Sequence, residues 1–168
     1  ASTIGLQNVV FDTGGVALLA GNPADESLAS VVDASNITIK DFISGTYLYG
    51  ASELSITDAR IINSVDVAIS SEDSTLSLER VLVESAPLSH NGIVSYRTDA
   101  TMDDVLVRGG VLGIGVDGGS ANGTRVAIID SAGTGLDLSG ESLVASFDDV
   151  EVRGAKFFGV FNKAGMFD

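Results

Sequence analysis

The chain has no cysteine and no tryptophan, and only two prolines, three lysines and one histidine among its 168 residues. Without cysteine it has neither a disulfide scaffold nor a thiolate metal site. The shortage of lysine, with 23 acids against 9 bases and a net charge of -14, excludes nucleic acid and anionic membrane surfaces as partners. No apolar run approaches the length of a bilayer span, which excludes membrane insertion. The opening stretch ASTIGLQNVVFD has no basic region followed by an apolar one, so no signal peptide is visible; a processed or excised chain would read the same way. A single histidine, His90, leaves little material for imidazole chemistry.

What the chain does have is glycine, 20 residues of it, inside a sequence that is 45% hydrophobic. The stretch 105–116, VLVRGGVLGIGV, is too rich in glycine for a helix and for an ordinary strand. It is one copy of a repeat. Aligning similar segments gives apolar anchors at Phe11, Ile43, Ile62, Val83, Val107, Ile129 and Val152, spaced 32, 19, 21, 24, 22 and 23 residues apart. A second short strand precedes most anchors: NITI (36–39), ELSI (53–56), TLSL (75–78) and VASF (144–147).

A period near 22 built from short strands and Gly/Ser/Asp/Asn corners is the pattern of a solenoid. A hairpin meander would want longer alternating strands and two-residue NG or DG turns, which are nearly absent, and a leucine-rich repeat would need its leucine spacing and asparagine ladder, which are missing. The expected fold is all-β: a single-stranded parallel β-helix of about seven coils forming one domain over 1–168. It has a larger loop at 20–35, containing a candidate helical turn at 24–32, and a smaller bulge at 86–100. Glycines are expected at the corners. Coils stacked at the usual interstrand spacing make a rod roughly 30 Å long.

The segments Val105-x-Val107-x-Gly109-Gly110 and Val150-x-Val152-x-Gly154-Ala155 carry a resemblance to the right-handed parallel β-helix, or pectate-lyase-like, superfamily, over essentially residues 4–161. The resemblance implies a right-handed solenoid. It spans enzymes, tailspikes and adhesins alike, so it does not choose an activity. The loops here are shorter than those that wall a sugar cleft in the enzymes. The chain begins and ends within the pattern, which reads as a fragment of a longer secreted or cell-surface protein, or as an end that pairs with another chain.

Stacking turns sequence columns into surface columns. One position after the anchor stand Glu84, Arg108, Asp130 and Arg153, a charge ladder serving register and solubility, or a ligand-binding stripe. Four positions before it stand Asp58, Glu79, Asp103, Arg125 and Asp148, with Asp104 and Asp149 alongside. Glu79 and Asp103 on adjacent coils are candidate metal ligands, with Ca²⁺ as the one cofactor worth testing, although Ca²⁺ wants six to eight oxygens. Asp103, Arg125, Asp148 and His90 are the candidate catalytic residues, since enzymes of the resembled superfamily combine acids that hold Ca²⁺ with a basic side chain; solvated acids neutralised by Arg125 are the other reading. Tyr96, Arg97 and Asp99 are candidate carbohydrate-binding residues. Val10, Phe42, Ile61, Leu82, Leu106 and Ile128 precede the anchors and would form an outward apolar interface stripe, unless local bends turn both neighbours inward.

Three functions follow from these columns. The first is a non-catalytic structural or binding segment of a secreted or cell-surface protein. The second is a carbohydrate-active enzyme, a polysaccharide lyase or glycoside hydrolase, or the remnant of one. The third is a self-assembling element. The partners to expect are a second copy, the remainder of a parent chain, or a polysaccharide. Ice binding would need a threonine array that the repeats do not align.

Overall fold

The structure is a computed structural model that describes residues 2–22, 24, 29–85 and 90–163. Twelve strands, all paired in parallel, form one continuous sheet wound into a solenoid of about six turns, with no helix among the described residues. They are β1 (Ser2–Gln7), β2 (Val10–Ala20), β3 (Ser30–Ser35), β4 (Thr38–Tyr49), β5 (Glu53–Ile62), β6 (Val67–Glu72), β7 (Thr75–Glu84), β8 (Asn91–Arg108), β9 (Leu112–Ile129), β10 (Thr134–Ser139), β11 (Val144–Arg153) and β12 (Val160–Asn162). The longer ones run through a corner, and their pairing resumes on its far side.

Each coil has three faces. On the first face Ser2 pairs with Ser30, Val31 with Glu53, Glu53 with Thr75, Thr75 with Asp99, Asp99 with Ser120 and Ser120 with Val144, which gives steps of 28, 22, 22, 24, 21 and 24 residues. The long first step holds the larger loop. That loop is narrower than expected, because 30–35 is β3, and the candidate helical turn at 24–32 falls partly outside the described residues. The bulge is also smaller than 86–100: residues 91–100 are strand, and 86–89 lie outside the described residues.

The corners are three columns of left-handed backbone. Between the first and second faces stand Asn8, Asn36, Asp58, Arg80, Asp104, Arg125 and Asp149, each with φ between 50° and 56° and none of them glycine. Asn and Asp tolerate this region because their short polar side chains bond locally. Between the second and third faces lie Thr13, Asp41, Asn63, Gly109, Asp130 and Gly154, and between the third and first lie Gly21, Gly50, Asp73, Arg97, Gly118 and Gly140. Glycine is therefore only one of the corner residues.

The glycines of 105–116 have two separate causes. Gly109 and Gly110 have φ of 81° and 76° at a corner, whereas Gly113 and Gly115 sit inside β9. A Cβ on Gly113 would lie 2.3 Å from Cγ2 of Ile128 and 2.6 Å from the carbonyl oxygen of Gly135. Gly45, Ala68, Gly92, Gly113, Gly135 and Gly159 stack in one column at the start of the third face, where each backbone approaches the next coil.

The core is a set of aliphatic ladders. On the second face Phe11, Ile39, Ile61, Val83, Val107, Ile128 and Val152 share one inward column, and Ile37, Ala59, Val81, Val105, Val126 and Val150 share its neighbour. Three expected anchors are thereby corrected. Ile39, Ile61 and Ile128 hold the column in place of Ile43, Ile62 and Ile129; Ile43 is 57% exposed, whereas Ile129 is also buried, beside the column and not in it. Likewise NITI (36–39) turns the first corner and enters the second face, and the first-face strand of that coil is β3.

Candidate functional site

The corner register splits the expected acidic column in two. Glu79, Asp103, Thr124 and Asp148 are partners at the last outward position of the first face, and Asp58, Arg80, Asp104, Arg125 and Asp149 occupy the corner immediately after it. Glu79 and Asp103 are therefore direct neighbours, as expected, but Asp148 stands two coils from Asp103, roughly 10 Å along the axis.

Arginines at the corner occupy three of these acids, Asp58, Glu79 and Asp103. Arg80 donates to both oxygens of Asp58, at 2.6 and 2.9 Å, and also to Glu79. These bonds hold the Asp58 carboxyl below its ordinary range. Arg125 donates to Asp103 at 2.6 Å. The surface beside them is a shallow depression of about 330 Å³ lined by Ser77, Glu79, Thr101, Asp103, Asn122 and Thr124, among others. Among the described residues, no group of three or more His, Asp or Glu side chains could hold a metal ion.

His90 lies elsewhere, at the start of the third face beside Asp66, with Nδ1 3.4 Å from Oδ1. The structure thus does not bring it to Asp103, Arg125 and Asp148. Tyr96 and Arg97 are together, with the Arg97 guanidinium 3.9 Å from the centre of the Tyr96 ring. Asp99 is beyond the corner on the first face, where it accepts from Ser120 at 2.7 Å. The partners that sequence reading missed are Glu72 and Asp73. Arg97 donates to Asp73 through Nε at 2.7 Å and to Glu72 at 3.1 Å, and the Arg97 bond lowers the Asp73 carboxyl. The signal was in the repeat, since Glu72 and Asp73 stand 24 residues before Tyr96 and Arg97.

The expected apolar stripe does not exist as a surface feature. Val10 is 70% exposed, but Phe42, Ile61 and Ile128 are buried, and Leu82 and Leu106 are half-buried neighbours. The true outward column is Val10, Thr38, Arg60, Leu82, Leu106, Ala127 and Glu151, which alternates in character. Ile61 and Ile128 are core because they, and not the residues after them, pair with Val83 and Val107. Phe42 lies just past a corner with its ring over Gly14. In the charge ladder, Glu84 is flanked by Arg60 at 3.4 Å and Arg108 at 3.5 Å, while Asp130 turns out to be a corner residue.

At the far end of the third face, Asp117, Asp137, Glu141, Phe161 and Lys163 line a second open depression of about 470 Å³. Burial raises the Asp137 carboxyl, helped by the nearby Asp117 charge and opposed by Lys163. Comparisons with protein-family models, curated proteins and solved structures returned no match.

Proposed function

We propose that the chain is a non-catalytic structural and binding segment of a secreted or cell-surface β-solenoid, a stiff rod that presents long regular faces to partners. The carrying observation is the pairing of Arg125 with Asp103 and of Arg80 with Asp58 and Glu79. A lyase or hydrolase needs a carboxylate or base free to reach substrate in a shaped cleft. Here the nearest candidates are tied to guanidinium groups on a shallow surface, and His90 is on another face. An acidic, lysine-poor rod suits display outside the cell, where regular backbone pairing supplies rigidity without disulfides.

The test is an activity screen on the full chain with polygalacturonate, xylan and β-glucan, with and without Ca²⁺. Unsaturated products are followed by absorbance and new reducing ends by a colorimetric assay. No product above the buffer blank is expected. Product formation that disappears in Asp103→Asn would replace this reading with the enzyme one.

A further inference from the structure

All three tyrosines of the chain lie on one face, within three consecutive coils. Tyr47 and Tyr49 alternate outward along β4 on either side of fully buried Leu48, and their rings stack with centroids 5.7 Å apart and planes 13° from parallel. Tyr49, Glu72 and Tyr96 are successive partners in a single outward column. Asp66 receives the Tyr47 hydroxyl at 3.4 Å. Arg97 lies against the Tyr96 ring and is itself held by Asp73 and Glu72, so the ring that is 39% exposed is also braced. The adjacent outward column continues from Tyr47 to Ser70, Val94 and Gly115, none of them charged.

We propose that Tyr47, Tyr49, Asp66, Glu72, Tyr96 and Arg97 form a binding strip for a neutral, hydroxyl-rich oligosaccharide chain lying along the solenoid axis. Sugars present two kinds of surface, apolar C–H faces and a rim of hydroxyls. Tyrosine rings match the first and offer their own hydroxyl to the second. Carboxylates accept from two neighbouring hydroxyls at once. The coil repeat places these groups at intervals of about 4.8 Å, with Tyr49 and Tyr96 on the order of 10 Å apart, a ladder suited to a polymer. Three acids, Asp66, Glu72 and Asp73, face one arginine along the strip, so an anionic polyuronate is repelled and a neutral glycan is not.

The inference deepens the binding role proposed above, and the two can fail separately. Release of reducing ends from a bound probe would sink the non-catalytic reading and leave the strip standing.

With no tryptophan in the chain, tyrosine fluorescence reports from this strip alone. The full chain is titrated with cellohexaose, xylohexaose and mannohexaose, with polygalacturonate as the anionic control. At least one neutral probe is expected to change the fluorescence saturably, and polygalacturonate is expected to leave it unchanged. Tyr96→Ala and Glu72→Ala should each weaken binding about tenfold, measured by calorimetry, and Tyr96→Phe by no more than about threefold because the ring face remains. Far-UV circular dichroism checks that each variant is folded. If Tyr96→Ala loses its fold, Glu72→Ala and Tyr96→Phe decide. The proposal is overturned if no neutral probe binds at millimolar concentration, if the folded alanine variants bind like the parent, or if polygalacturonate binds equally well.

Discussion

The second and third faces of the solenoid share the same coils and the same ladder, yet they are built on different rules. The second face is packed by side chains: two inward columns that, apart from Phe11, are Val, Ile and Ala stacked one coil on the next. The third face is packed partly by backbone. Its glycine and alanine column lets each coil approach the next, and its remaining inward positions mix Ile69, Ile93 and Ile114 with Thr46, Ser71 and Ser95. Its outer side carries every tyrosine. A β-solenoid can thus reserve one face for stability and let another carry surface chemistry, because the coil closes as long as the shared core is filled.

The comparison breaks most sharply at Ile61. Ile61→Ala should cost about 2–5 kcal/mol, as for other fully buried aliphatic truncations, whereas Ile62→Ala, one residue away and facing outward, should cost less than about 1 kcal/mol. Urea denaturation of the two variants checks this, and equal losses would mean that the inward column is misassigned. On the third face, Gly113→Ala should cost about 1–3 kcal/mol, since the added methyl meets Ile128 and the Gly135 carbonyl with no room to move. The same substitution at Gly5, where an added Cβ would meet no atom of another described residue beyond its chain neighbours within 4 Å, should be nearly silent.

Thr46 sharpens the contrast in the opposite direction. Its hydroxyl is fully buried, has no hydrogen-bond partner among the described residues, and lies in the column of Ile69, Ile93 and Ile114. Thr46→Val should therefore stabilise the fold by about 1 kcal/mol. A drop in the urea midpoint would show that the hydroxyl is satisfied after all.

The smallest effect concerns charge. Asp137 has a folded pKa raised above its unfolded value, so its ionisation opposes folding above the folded pKa, and that cost disappears as pH falls through it. Asp137→Asn should raise Tm slightly at about pH 7 and leave it unchanged at about pH 3, where the parent carboxyl is already neutral. Asp73 has the opposite sign. Its pKa is depressed by Arg97, so its contribution is present above the unfolded pKa and is lost as pH falls through the folded one. Asp73→Asn should lower Tm more at the higher pH than at the lower. Scanning calorimetry at both pH values distinguishes the two.

The second face was the more legible of the two. Val83, Val107 and Val152 stand alone as strong β-branched residues flanked by alternation; Val83 and Val107 are core as expected, and Val152 is partly buried against it. Where two isoleucines stand together, as at 61–62 and 128–129, alternation offers two equal choices, and the neighbouring coil makes the selection. The third face was hard to read because glycine and serine at inward positions look like turns. The acidic cluster was only half legible. The adjacency of Glu79 and Asp103 follows from the repeat, but a left-handed corner residue on each coil moved Arg80 and Arg125 into a separate column.

The sequence by itself determined the all-β solenoid, its period and its acidic surface, because these depend on composition and on spacing that recurs in every coil. The tertiary structure alone decided the register: which isoleucine turns inward, which glycines are corners, and that Tyr47, Tyr49, Glu72 and Tyr96 meet on one face. Coil lengths vary from 21 to 28 residues. A slip of one residue reverses the face of every side chain in a strand, and only backbone pairing between coils removes that freedom.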